Sequence, residues 1–428
     1  MSFVKGIIKS EFNKNVLKIF SGTLVAQVLT IGIMPILTRI YTPEDFSNLA
    51  LYTSVTSILS MFVTLKYDKA IMLPKKEKDA FSLIVLSIGL TIFFGLIFYI
   101  FYFLFFDYIT LLFKVEGVED WLIFVPISVI VLGLYNILNT WFNRKKEYNR
   151  LSFNRILTSI GGGASKIFFQ LILKFGAFGL VLGEFFAQVL ALFFFGKKFV
   201  SVNRNEILTV KINDIKKVSK EYKSFPIYSL PADFVNSVSR ELPVLLLSGF
   251  YGASTVGFYM LTKNTLNVPF NLLSTSILEV FKQKAVEDYN SIGNCYAIFK
   301  STLKKLIVLS VVPFILLYFT APFLFTLVFG DQWRESGVFA QMLTVMYFFK
   351  FISSPLSYVF YIANKIRIDL ILQSTVLLLS WLSLMLGNWL NLEVSKTLLI
   401  YAIVNAIMYL VYLYFSYLYS RNKNFNSK

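Results

Sequence analysis

Histidine is missing from this chain altogether, and cysteine occurs once, at Cys295. Those absences exclude a disulfide within the chain, a His/Cys metal centre and any catalytic triad that needs an imidazole. The G-x-x-x-x-G-K-[ST] phosphate loop is absent as well, so direct use of ATP is not expected, and no cofactor is implied. Charged residues make up only 15% of the 428 positions, against 56% hydrophobic and 18% aromatic. Mean hydropathy is +0.67. Soluble globular domains do not have this composition, and the chain reads as an all-α integral membrane protein.

A helical span needs about 20 mostly apolar residues. Twelve such stretches occur, at about 18–38, 47–65, 81–105, 121–142, 154–173, 177–196, 225–248, 255–281, 305–328, 336–362, 368–390 and 397–419. The fifth is interrupted by Gly161-Gly162-Gly163 and Lys166. The order predicts a six-helix bundle over 1–196, a basic linker over 197–224, a second bundle over 225–420 and a tail over 421–428. Ile212, Ile215 and Val218, with lysines between, predict an amphipathic helix on the membrane surface within the linker. The basic start, Met1–Phe20, lacks a signal-peptide cleavage pattern and is read as retained.

The loops set orientation. Of 41 Lys and Arg, 32 lie on the side of the N-terminus, five on the opposite side and four inside spans. The positive-inside rule puts both termini in the cytoplasm. It also accounts for most of the net charge of +17 as topology signal and attraction to anionic lipid. The basic residues are spread over many loops with no folded module between them, so nucleic acid is not an expected partner.

The two halves carry a weak repeat. Tyr41-Thr42-Pro43 opens span two and Tyr251-Gly252-Ala253 opens span eight; Leu65-Lys66 and Phe281-Lys282 close them. Six spans per half give both halves the same orientation, related by a pseudo-two-fold along the membrane normal, with a substrate site between them.

Charges inside spans are expensive and mark function by default. Span seven holds three prolines, Pro226, Pro231 and Pro243, with Asp233, Asn236 and Arg240 on one helical face and Glu241 beside them. Lys166 and Glu184 lie in spans five and six, Lys263 and Lys350 in spans eight and ten, and Arg39 closes span one. Asn264, Asn267 and Asn271 continue a polar face from Lys263. Arg offers a planar fork to phosphate oxygens and Lys a point charge, so the cations suit an anion such as a diphosphate. Glu184, Asp233, Glu241 and Glu279 are the acids available to a coupling proton or sodium ion. Each residue also has a plain reading. Asp233 or Glu241 neutralises Arg240, Lys263 snorkels outward, Lys166 packs beside the glycines, and Arg39 anchors at the interface. The glycine triplet suits close helix packing better than a phosphate cradle.

Several stretches resemble the polysaccharide-biosynthesis flippases, the Wzx-type O-antigen and capsule repeat-unit translocases. They are Ser21-Gly22-Thr23 through Pro35-Ile36-Leu37-Thr38-Arg39-Ile40-Tyr41-Thr42-Pro43-Glu44-Asp45-Phe46; Tyr67-Asp68-Lys69-Ala70-Ile71-Met72-Leu73-Pro74; Phe225-Pro226 with Tyr228-Ser229-Leu230-Pro231-Ala232-Asp233 and Leu242-Pro243-Val244; and Phe329-Gly330-Asp331-Gln332-Trp333-Arg334-Glu335-Ser336-Gly337 with Ser353-Ser354-Pro355-Leu356. The resemblance covers at least residues 18–370. It implies alternating access by two six-helix bundles in a bacterial inner membrane. The implied cargo is an undecaprenyl-diphosphate-linked oligosaccharide moved from the cytoplasmic to the periplasmic leaflet. It also implies that cavity cations meet the substrate, and that a polymerase and a chain-length regulator act as partners. By position in the spans, the substrate set is Arg240, Lys166, Lys263, Lys350 and Arg39 with Asn236 and Asn267. One departure is Lys66, where the family pattern has Arg before the Tyr-acid pair. The competing readings are a drug or metabolite antiporter of the same superfamily, a peptidoglycan-precursor flippase with fourteen spans, and a polymerase or ligase. The short outward loops disfavour the enzyme.

Overall fold

The computed structural model describes residues 11–113 and 117–421. Expectations for Met1–Ser10, Lys114 and the tail beyond Arg421 lie outside the described residues. Among the described residues twelve long helices run through the apolar stretches: α1 Glu11–Ile40, α2 Pro43–Val63, α3 Glu77–Phe113, α4 Phe124–Arg144, α5 Tyr148–Leu171, α6 Ala177–Leu208, α7 Leu230–Tyr251, α8 Ala253–Ile292, α9 Tyr296–Phe329, α10 Arg334–Leu356, α11 Ile366–Trp389 and α12 Val394–Arg421. In lipid each backbone N–H and C=O needs a partner within the segment, and a helix supplies it. Among the described residues nine helices are long and apolar enough to cross a membrane, and the chain is a multi-pass membrane protein. The three that fall short of that composition are α5, α7 and α8. They carry Lys166; Asp233, Arg240 and Glu241; and Lys263 with its amides.

The chain divides into two compact units, Met1–Ser237 and Val238–Lys428. The boundary falls inside α7, so residues 225–237, expected at the head of the second bundle, pack with the first unit.

In the first unit α5 packs on α6 and α1, while α4 packs on α3 and α6. Tyr67, Phe81, Trp141, Phe142, Phe195 and Phe199 form the body of one core cluster. A helix over Ile212–Glu221 is present, as predicted, but its apolar residue Val218 is buried in that cluster rather than offered to lipid. Lys217 Nζ reaches Asp79 at 3.2 Å and Lys78 Nζ reaches Asp214 at 2.8 Å, pinning the helix to the start of α3. In the second unit α10 packs on α9, α12 and α8, and α11 on α12.

Two of the sequence motifs are structural. Thr42 Oγ1 accepts from the Asp45 N–H at 3.2 Å, and Asp45 Oδ2 accepts from the Thr42 N–H at 2.9 Å. With Pro43 in the first turn, this capping box fixes the start of α2. Gly330, at φ +104°, turns the chain from α9 into α10. A Cβ on Gly337 would lie 2.7 Å from the Ala321 carbonyl oxygen, so glycine lets α10 meet α9 there.

Candidate functional site

Three lysines of the first unit, Lys66, Lys69 and Lys166, reach carboxylates. On α5 the glycine triplet lies within an unbroken helix, with Gly162 and Gly163 buried, as close packing requires. A Cβ on Gly183 of α6 would stand 2.8 Å from the backbone nitrogen of Lys166 and 3.0 Å from its Cα. That approach sets the next residue, Glu184, within reach, and Lys166 Nζ donates to Glu184 Oε2 at 2.6 Å. The Lys166 side chain is only 13% exposed, so the carboxylate serves as its counter-charge. Tyr41 Oη donates to the Lys166 carbonyl at 2.7 Å and ties α5 to the end of α1. Two residues assigned separately from the sequence, one to substrate and one to a coupling ion, are thus one ion pair. Asp233, in the first turn of α7, accepts from Lys69 Nζ at 2.5 Å and meets Lys66 Nζ at 3.1 Å. Arg39 is exposed in the last turn of α1, and its Nη1 donates to the Pro35 carbonyl at 2.7 Å. Asn236 and Glu279 are also exposed.

Charges inside the second unit gather differently. Arg240 and Glu241 project from α7, Lys263 and Asn267 from α8, and Tyr347 and Lys350 from α10. Lys263 Nζ donates to Glu241 Oε2 at 2.8 Å and to the Arg240 carbonyl at 3.2 Å. Glu241 is therefore the acid on Lys263, which has not snorkelled outward. Lys350 Nζ sits over two rings, 4.8 Å from the centre of Phe270 and 5.2 Å from that of Tyr347. Ring faces attract an ammonium by about 0.5–2 kcal/mol without cancelling its charge. Its charged neighbours are Lys263 and Arg240. Tyr347 Oη donates to Asn267 Oδ1 at 3.2 Å. The buried phenols of Tyr259 and Tyr401 hydrogen-bond to each other beside them. Three cations on three helices thus share a neighbourhood with Glu241 and a set of phenols. The field is positive and the donors are many, an arrangement suited to a polyoxygen anion.

The sequence reading named Arg240, Lys263, Lys350 and Asn267, and the structure brings them together. It missed the tyrosines, because 24 Tyr in an aromatic-rich chain carry no individual signal. It also passed over Asp369, buried at the head of α11, whose Oδ2 accepts from Gln373 Nε2 at 2.8 Å. The i, i+4 spacing of Asp369 and Gln373 on a helix is the cue that was available. Among the described residues no group of three or more His, Cys, Asp or Glu is placed to hold a metal ion.

No curated protein matches the chain. Solved structures of low sequence identity share its fold. The lipid II flippase MurJ in an inward closed conformation is 16% identical, with a TM-score of 0.73 over 93% of this chain and 87% of that one. An inward-facing multidrug resistance MATE transporter of the MOP superfamily is 13% identical, with a TM-score of 0.61 over 94% and 93%. A MOP superfamily transporter from Pyrococcus furiosus, described as having a binding pocket of reverse polarity, is 15% identical, with a TM-score of 0.56 over 95% of each chain. The family described as polysaccharide biosynthesis protein matches residues 36–338, well over half the chain, and the protein belongs to that family.

Proposed function

We propose that this protein is a flippase for a lipid-diphosphate-linked oligosaccharide. It carries the repeat unit from the cytoplasmic to the periplasmic leaflet of a bacterial inner membrane by alternating access, with both termini in the cytoplasm. The observation that carries the reading is that Arg240, Lys263 and Lys350 are charged neighbours, with Glu241 paired to Lys263. A diphosphate brings several oxygens and more than one negative charge; a cationic drug would meet repulsion there. One cation at 4 Å from a phosphate oxygen is worth about 4 kcal/mol at an effective dielectric of 20, so several offset much of the cost of dehydrating the anion. Tyr259, Tyr347 and Tyr401 add phenol groups that suit a sugar. Membership of a polysaccharide biosynthesis family and a fold shared with a lipid II flippase support the same class of cargo.

Glu241 is the coupling acid in this reading. Protonation, or capture of a sodium ion, would loosen its hold on Lys263 within the cluster itself. A polymerase and a chain-length regulator would take the product on the far side.

The test is translocation of an undecaprenyl-diphosphate-linked oligosaccharide in proteoliposomes. Arg240→Ala is expected to slow it about tenfold or more while the protein stays folded. Normal transport by that variant removes the cluster from the mechanism. Absence of transport by the parent, together with uptake of small cationic solutes, favours the antiporter.

A further inference from the structure

The turn between α2 and α3 is built with unusual care. Helix α2 stops at Val63, and after Thr64 the residues Leu65 and Lys66, neither of them glycine, take left-handed backbones at φ 46° and 63°. L-residues avoid that region, so the surroundings must hold them there. They do. Thr64 Oγ1 donates to Asp68 Oδ1 at 2.6 Å, Tyr67 Oη to the Ser219 carbonyl at 3.0 Å, and Arg144 Nη1 to the Ile71 carbonyl at 2.9 Å. Tyr67, Ala70 and Ile71 are buried. The acid of the turn, Asp68, is occupied by Thr64 rather than by its neighbouring lysines.

Lys66 and Lys69 both point their Nζ atoms at one oxygen, Asp233 Oδ2, at 3.1 and 2.5 Å. Lys66 is only 13% exposed, so it requires an anion in place at all times. Lys69 is 51% exposed and accessible from outside. The partner acid lies at the start of α7, just after the π-helical turn Phe225–Ser229 and Pro231, where the backbone ladder is already interrupted.

We propose that Lys66 and Lys69 form a binding site for a phosphate-class anion on the first unit, and that Asp233 is its built-in occupant. The ligand phosphate takes the place of the Asp233 carboxylate on the two ammonium groups. The exchange keeps Lys66 paired throughout and frees the first turn of α7. A tetrahedral phosphate offers each lysine its own oxygen, where the carboxylate now gives both the same one. The choice of a lipid-linked diphosphate as the natural ligand rests on the transport reading; the site itself does not.

The test is equilibrium binding of inorganic diphosphate to the full chain in neutral detergent at low salt. An internal competitor lowers apparent affinity by the fraction of time it leaves the site free, so removing one that is seated about nine-tenths of the time tightens binding about tenfold. Asp233→Asn is expected to bind diphosphate about tenfold more tightly than the parent. Adding Lys66→Gln should abolish that gain, and an Arg240→Ala background should leave it intact. Unchanged or weaker binding by a folded Asp233→Asn protein overturns the proposal and leaves a structural clasp. Loss of the gain in the Arg240→Ala background also overturns it, because the anion would then be reading the second unit. Should Asp233→Asn fail to fold, Lys69→Gln decides instead. Weaker diphosphate binding at an unchanged melting temperature supports the site, and unchanged binding sinks it. Nanodiscs separate the two phosphate sources. In phosphatidylcholine discs, protection of Lys69 from amine labelling by added undecaprenyl diphosphate assigns the site to the lipid-linked diphosphate. Protection by phosphatidylglycerol alone assigns it to membrane headgroups. Protection by neither overturns the proposal.

Discussion

The second helix of each unit begins alike and ends differently. Tyr41 and Tyr251 precede α2 and α8, and each phenol ties its helix start to another helix of its own unit. Tyr41 reaches the Lys166 carbonyl at 2.7 Å, and Tyr251 reaches Thr397 Oγ1 at 2.7 Å. Helix α2 then runs 21 residues and breaks at the Leu65-Lys66 turn, whereas α8 runs 40 residues, past Lys282, to Gly293. Lys66 and Lys69 lie on a braced turn in the first unit, whereas Lys282 lies inside a continuous helix in the second. The charges follow the same division. In the first unit Lys166 has Glu184, and Lys66 and Lys69 have Asp233. In the second, Glu241 serves Lys263 while Lys350 rests on rings. In the first unit each of these cations reaches a carboxylate, whereas in the second Lys350 lies over rings with Lys263 and Arg240 as its charged neighbours.

The largest expected effect breaks the balanced side. Glu184→Gln leaves Lys166 enclosed without its counter-charge and should destabilise the protein by about 3 kcal/mol, read from thermal unfolding in detergent. The matching change on the other side is Lys350→Met. It removes a cation held by ring faces and is expected to cost less than about 1 kcal/mol of stability. It should slow translocation about tenfold, equivalent to about 1.4 kcal/mol. If Lys350→Met unfolds the protein as readily as Glu184→Gln, the division between a structural pair and an exchangeable charge fails.

Much of this was legible in the sequence. Apolar stretches placed the long helices, nine of which among the described residues are apolar enough to cross a membrane, and intramembrane charge marked α5, α6, α7, α8 and α10. Pairing was less legible, since it depends on which helices touch. Asp233 and Arg240 share a face of α7 seven residues apart, which suggested a common cavity, yet the unit boundary falls between them at Ser237. The amphipathic pattern around Val218 was real, but periodicity cannot tell a lipid surface from a protein one, and Val218 is buried against protein. Lys66 registered as the close of span two and as a departure from a family pattern. Its left-handed backbone and its share in Asp233 are products of packing.

A smaller effect sharpens the comparison at the helix starts. Thr42 caps α2 with its side chain, while α8 starts at Gly252, φ 85°, with no side-chain cap. Thr42→Ala should cost about 1 kcal/mol. Gly252→Ala acts instead through its left-handed backbone, so adding Pro43→Ala should deepen the first loss, while Ala253→Pro should leave the second unchanged. Thermal unfolding of the four variants separates the two mechanisms.

The smallest effect lies at the surface clasps, and the two units should respond to opposite ends of the pH scale. In the first unit the Lys78 ammonium, then the Lys211 backbone N–H, holds the Asp214 carboxyl below the usual carboxylate range. A depressed acid contributes stability that is fully present above its unfolded value, roughly pH 4, and is lost as pH falls through its lower folded value. In the second unit Asp288, 3.0 Å from Lys284 Nζ, raises the Lys284 ammonium above its ordinary value. A raised base contributes stability that is present below its unfolded value, roughly pH 10.4, and is lost as pH rises through the folded one. Amide exchange is the readout. Protection over Ile212–Glu221 should fall below roughly pH 4 in the parent and be lower and flat with pH in Asp214→Asn. Protection at the end of α8 should instead fall above roughly pH 10 and lose that dependence in Lys284→Gln. Acid sensitivity at both clasps would show that Asp288, rather than Lys284, governs the second.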